Sequence, residues 1–133
     1  MEWGEECQLG IIWQDFQHKQ LIDNINKLLD CLITGNKDKE TFYKTIKFVK
    51  EFSLNHFNLE ELYMKKHDFP GMKGHVKEHR LFTDDLNHFI SVCIYREVES
   101  STELLNKLNT WFSHHIQTTD KILADFLIKS NSL

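Results

Sequence analysis

Two pairs of potential metal ligands stand close together in the middle of the chain. His56 and Glu60 are four residues apart, and so are His75 and His79. Residues four apart lie on one face of an α-helix, so each pair could bind a metal ion from a single helix. Between the pairs, the segment 68–71 reads Asp-Phe-Pro-Gly, which is typical of a turn. The spacing predicts a helical hairpin whose two helices face one metal site, although either pair alone would be weak support.

Apolar residues recur at intervals of three and four along most of the chain, which indicates amphipathic helices. This periodicity predicts helices over 15–34, over 39–65, from the turn at 67–71 to Arg96, and over 101–128. Ser100 and Glu103 have the spacing of a capping box at the start of the last helix. Short connections make consecutive helices antiparallel. The predicted fold class is therefore all-α, an up-down-up-down antiparallel four-helix bundle.

The first residues of the chain show no sustained helical period. We predict that 1–14 form an extended N-terminal arm that packs on the bundle through Trp3, Ile11 and Trp13. The bundle itself is expected over 15–128, and the 133 residues fit one domain spanning 1–133.

The inward faces of such a bundle gather an unusual number of imidazoles at one end. A single histidine on an apolar face is more often a hydrogen-bonded core residue than a ligand. Neutral imidazoles in a dry core each need a donor and an acceptor, so several of them cannot satisfy one another. A metal cluster would satisfy them together. The residues concerned are His18, His56, Glu60, His75, His79 and His115.

Composition excludes several other classes of function. The net charge is −4 with acidic and basic residues interspersed, so nucleic acid is not an expected partner. No apolar run approaches the length of a membrane span, and the first ten residues do not resemble a signal peptide. The three cysteines lack metal-binding or paired spacing, which favours reduced thiols. We therefore expect a cytoplasmic protein with no membrane partner.

Four segments resemble the hemerythrin family, particularly its single-domain bacterial members. They are Phe16-Gln17-His18, the HFxxEExxM pattern at 56–64, HxxxH at 75–79 and WFxHHIxxxD at 111–120. The resemblance covers nearly the whole chain. It implies a non-haem centre of two iron ions with an oxo or hydroxo bridge, and dioxygen as the ligand.

The resemblance also implies a ligand for each position of that centre. His75, His79 and His115 would bind one iron, His18 and His56 would bind the other, and Glu60 and Asp120 would bridge both. The second iron then has one imidazole fewer and keeps an open position, where dioxygen should bind. Two carboxylates and one bridging hydroxide would leave the reduced iron pair with a charge of about +1, which favours two-electron transfer to dioxygen without O–O cleavage.

The spacing of Asp120 is awkward for a regular helix. It follows His115 by five residues, about 140° around an ideal α-helix. We predict a π-type widening or a sideways reach between the two residues. A regular turn would instead point Asp120 to solvent.

The family pattern further implies a dioxygen pocket and shows two departures. Phe57, Trp111, Phe112 and Ile116 would line the pocket, with ordinary bundle core as the less favoured alternative for Phe57, Trp111 and Ile116. Phe112 stands where the family usually has leucine, so ligand entry could differ. Gln14 stands where an apolar residue is common, and we expect that change to affect the arm and not the metal site.

The leading interpretation is reversible dioxygen binding for storage, delivery or sensing, and not an enzyme. The alternatives are a diiron oxidoreductase that consumes peroxide or nitric oxide, and an iron-handling or signalling module. The remaining histidines, His67, His88 and His114, are expected to face solvent.

Overall fold

A computed structural model describes residues 4–34, 39–94 and 98–130. Its main elements are α1 (Ile12–Thr34), α2 (Lys39–Lys66), α3 (Met72–Ile94), α4 (Val98–His115), a π-helical segment (Ile116–Asp120) and α5 (Lys121–Lys129). The π segment joins α4 and α5 into one long fourth helix. Each of the four long helices packs on two neighbours, in the cyclic order of the chain. The predicted all-α four-helix bundle is confirmed.

The core follows from the apolar stripe of each helix. Leu21, Ile25 and Leu28 of α1 are almost fully buried, and α3 contributes Phe82 and Phe89. Spacings of three, four and seven put such residues on one face, so burial of these faces holds the helices together. Among the described residues, no helix combines the length and the apolarity needed to cross a membrane.

The connection between α2 and α3 is fixed by its backbone. Asp68 has a φ of +51°, and the Phe69 N–H donates to the Met64 carbonyl at 2.9 Å, which is a Schellman end to α2. A Cβ on Gly71 would come within 2.8 Å of the Phe69 ring, so a side chain here would force that buried ring to shift. The predicted turn is therefore confirmed, and it sets α3 against α2.

Helix α1 begins at Ile12, three residues before the predicted start, so 12–14 do not belong to the arm. The Asp15 carboxylate accepts the N–H groups of Leu9 and Gly10, at 2.8 and 3.1 Å, and ties the arm to the first helical turn. The arm carries a short 3₁₀ turn at Glu5–Cys7. Trp3 lies outside the described residues, whereas Ile11 is buried as expected and Trp13 stacks on Tyr63.

The other helix boundaries differ from their predicted positions by at most three residues. Helix α3 ends at Ile94, and Arg96 lies outside the described residues. The capping-box prediction was wrong, because α4 begins at Val98 and Ser100 is already inside it. Capping-box spacing also occurs by chance within helices.

Candidate metal centre

Seven polar side chains meet inside the bundle, and all of them are almost completely buried. They are His18 from α1, His56 and Glu60 from α2, His75 and His79 from α3, His115 from α4, and Asp120 from the π segment. They form two groups of potential ligand atoms that share both carboxylates. One group is His75, His79 and His115 with Glu60 and Asp120, and the other is His18 and His56 with the same two.

Each carboxylate presents one oxygen to each group. Glu60 Oε1 lies 3.1 Å from His79 Nε2, while Glu60 Oε2 lies 3.5 Å from His56 Nε2. Asp120 Oδ1 lies 2.9 Å from His75 Nε2, while Oδ2 lies 2.9 Å from His18 Nε2. The two carboxylates therefore span two subsites, one with three imidazoles and one with two.

The facing atoms have the geometry of ligands and not of hydrogen bonds. Despite the short distances, the Nε2 atoms of all five histidines and both Asp120 oxygens have no aligned hydrogen-bond partner. Ligands about 2.1 Å from an ion and at right angles lie about 3 Å apart, which matches the shorter contacts. Buried polar atoms that converge on common points without partners are what a metal cluster would satisfy.

Hydrogen bonds from the outer nitrogens of three cluster histidines fix the direction of their rings. His56 Nδ1–H donates to Gln17 Oε1 at 2.6 Å, and the Nδ1–H groups of His79 and His115 donate to Glu61 and Glu78 at 3.0 Å. Because these partners accept, the Nε2 lone pair of each ring is left for a metal ion.

The two buried carboxylate charges of the cluster also favour the binding of cations. Burial disfavours charge on His18, but the carboxylates of Asp120 and Glu60 outweigh it and raise the pKa of His18 to about 9. Burial likewise opposes charge on His75, yet contact with Asp120 and Glu60 raises its pKa to about 10. At His56 burial prevails and lowers the pKa to about 4. Without metal, protons on the imidazoles balance the two buried carboxylates.

The predicted widening of the fourth helix is confirmed. Ile116–Asp120 is π-helical, and this turns Asp120 into the cluster with no exposed surface. Glu78 on α3 holds the segment from outside, because it accepts the Thr119 hydroxyl at 2.8 Å as well as the His115 ring. A π turn beside this histidine-carboxylate cluster agrees with the frequent occurrence of such turns at functional sites.

Four aromatic or aliphatic residues that the family pattern assigns to a ligand pocket surround the cluster. Phe57 stacks on His79 with ring centroids 4.0 Å apart, and Trp111 stacks on His115 at 4.7 Å. Phe112 meets the His18 ring edge-on at 5.8 Å, on the two-histidine side. Ile116 is fully buried in the π segment. Their role in a dioxygen pocket stays a prediction.

Three residues near the cluster were not identified as functional from the sequence, and the expectation for a fourth was wrong. Gln17, Glu61 and Glu78 each stand beside a ligand in the chain, and that adjacency was the available signal. The expectation that Gln14 affects only the arm was wrong, since it is fully buried and its Nε2 donates to Glu60 at 2.7 Å.

The remaining histidines lie outside the cluster. His88 and His114 are exposed as predicted. His67 is only partly exposed, and its ring stacks on Tyr63 with centroids 6.2 Å apart.

Fold and site together define a helical-bundle protein with a buried histidine-carboxylate cluster that can hold metal ions. The family model described as the hemerythrin HHE cation binding domain matches residues 9–127. The chain therefore belongs to the hemerythrin family.

Several relatives carry the name bacteriohemerythrin. The one from Pseudomonas aeruginosa is 27% identical over 130 residues, which cover 98% of this chain and 83% of the relative. The one from Methylococcus capsulatus is 26% identical, with 96% of each chain covered. The one from Clostridium acetobutylicum is 28% identical over 92% of this chain and 98% of its own.

Proposed function

We propose that the protein binds dioxygen reversibly at a non-haem diiron centre, for storage, delivery or sensing. The observation that supports this most is the unequal division of five imidazoles around two shared carboxylates. When bound, the iron pair supplies the two electrons that reversible dioxygen binding requires. His75, His79 and His115 would hold one iron, and His18 and His56 would hold the other.

Counting ligands assigns the open position in this proposal. In this proposal His75, His79, His115 and one oxygen of each shared carboxylate would hold the first iron, and a solvent-derived oxygen would complete its six ligands. The second iron would have one imidazole fewer, so one of its six positions would stay open. Dioxygen would therefore bind beside His18 and His56, where Phe112 packs edge-on against the His18 ring.

The residues around the cluster support binding without onward reaction. Phe57, Phe112 and Ile116 are buried and apolar, so they exclude water from the cluster. Glu61 and Glu78 are hydrogen-bonded to ligand imidazoles, which favours a positioning role over proton delivery. An oxidoreductase that consumes peroxide or nitric oxide would need a proton source, so we rank that function second.

We also propose that the protein acts in the cytoplasm. Cys7 and Cys31 are both free thiols, which agrees with a reducing compartment.

Anaerobic spectroscopy tests the proposed function. Iron-loaded protein is reduced under argon, exposed to air, and then stripped with argon through several cycles. We expect a visible charge-transfer band that appears and disappears each time. A His114→Ala variant, altered at an exposed residue beside a ligand, should behave like the parent, whereas His56→Ala should show no band.

Two outcomes would contradict the proposal. Irreversible bleaching with consumption of added peroxide would favour the oxidoreductase. Loss of iron from the protein in each cycle would favour iron handling.

A further inference from the structure

Gln14 reaches the metal cluster from the first turn of α1. It precedes His18 by one helical turn, so both side chains lie on the same face. Its side chain is fully buried, and Nε2–H donates to Glu60 Oε2 across 2.7 Å. This is a short hydrogen bond to a carboxylate that both subsites share.

The hydrogen bond acts on one subsite and not on both. Glu60 Oε2, the acceptor, is the oxygen that faces the nitrogens of His56 and His18, at 3.5 and 3.7 Å. Glu60 Oε1 faces the three-histidine subsite and receives nothing from Gln14. The amide therefore draws charge from the oxygen that serves the subsite with fewer imidazoles.

A purely structural role explains this arrangement poorly. The other polar atom of the amide, Gln14 Oε1, is buried without a hydrogen-bond partner. Burying an unpaired acceptor destabilises a fold, whereas an apolar side chain of similar shape would fill the same space without that cost. The hydrogen bond to Glu60 is the feature that an apolar residue could not supply.

We propose that Gln14 is a positioning residue that orients Glu60 and weakens it as a donor to the two-histidine metal, which favours the reduced state of the metal pair. An oxidised metal ion carries more positive charge and is stabilised by electron-rich ligands. A carboxylate oxygen that already accepts an amide N–H donates less charge to the metal. Hydrogen bonds behind metal ligands shift reduction potentials in this way.

The inference uses the iron pair of the proposed function but not its dioxygen chemistry. The reduction potential of iron-loaded protein is measured under nitrogen for the parent, for Gln14→Met and for Gln14→Leu. Methionine keeps the length of the side chain and removes the donor. The matched control is Gln20→Met, a glutamine on the same helix whose side chain lies outside the cluster.

We expect both Gln14 variants to favour the oxidised pair by about tenfold, which lowers a one-electron midpoint by about 59 mV. Gln20→Met should match the parent. Equal midpoints in the parent and the Gln14 variants, or an equal shift in the control, would overturn the proposal.

A second measurement needs neither iron nor dioxygen. The same proteins are loaded with Co²⁺ and their visible ligand-field bands are compared. We expect the bands to move in the Gln14 variants and to stay in place in Gln20→Met. If the bands move while iron-loaded protein binds no dioxygen, the proposed function fails and the role of Gln14 stands. Unchanged bands overturn the role of Gln14 alone.

Discussion

Replacing Glu78 with glutamine should weaken metal binding, although Glu78 is not itself placed among the ligands. Its carboxylate accepts the His115 ring N–H at 3.0 Å and the Thr119 hydroxyl at 2.8 Å. It therefore fixes both a ligand ring and the π segment that carries Asp120. An amide oxygen can still accept the His115 ring N–H, but the variant loses the carboxylate charge. Its NH₂ group can only donate to the Thr119 hydroxyl, which must then act as the acceptor.

The size of the effect follows from the exposure of the carboxylate. Loss of a partner behind a metal ligand typically weakens metal affinity about 10- to 100-fold. The Glu78 side chain is 35% exposed, so water compensates part of the loss. We expect the lower end, about tenfold or roughly 1.4 kcal/mol.

Titration of metal-free protein with Co²⁺ against a competing chelator measures this affinity. The control is Glu51→Gln, the same change at an exposed site on α2. Burial opposes ionisation of Glu78, but its contacts with His115 and Thr119 prevail and lower its pKa. The stabilisation of the metal-free fold by Glu78 is thus present above pH ~4.5 and is lost as the pH falls through the lowered value. Equal Co²⁺ affinity in Glu78→Gln and Glu51→Gln would show that Glu78 does not hold the His115 ring and the π segment in place for metal binding.

Three further predictions concern metal loading. At pH 7.5, loading should release protons, because His18 and His75 have raised pKa values of about 9 and 10 and must lose their protons to bind metal. Calorimetry in buffers of different ionisation enthalpy measures the number released, and zero would contradict the charge balance. The same raised pKa values stabilise the metal-free fold fully below pH ~6.5, and this contribution is lost as the pH rises through 9 to 10. Metal ions at about a thousand times their dissociation constant should stabilise the fold by about 4 kcal/mol and raise the melting temperature by roughly 10–20 °C. An unchanged melting curve would show that the cluster does not bind metal ions. His56→Ala should still bind about one metal ion at the three-histidine subsite, as elemental analysis can show, and two bound ions would contradict the assignment.

The helices and the site were predictable from the sequence to different degrees. Periodic apolar residues define four helices because burial of one face needs that period, and this signal lies in local spacing. The hemerythrin resemblance made Asp120 a ligand, and its five-residue step from His115 then predicted a π-type widening or a sideways reach. The structure contains the π turn. The start of α1 was missed because its first turn presents Gln14 to the core, and a glutamine interrupts the apolar period.

The contacts behind the ligands depend on tertiary structure. Glu78 and Thr119 are 41 residues apart, and Gln14 and Glu60 are 46 apart. Spacing along one helix cannot show which helix lies opposite or at what height. A buried glutamine and an exposed one have the same appearance in a sequence until the neighbouring helix is placed.

A crystal structure of iron-loaded protein with anomalous data at the iron edge tests the central claim most directly. We expect two iron peaks, about 3.5–4 Å apart as in other two-metal sites. One should contact His75, His79 and His115, the other His18 and His56, and both should contact Glu60 and Asp120. A single peak, or two peaks that do not share the carboxylates, would contradict the account.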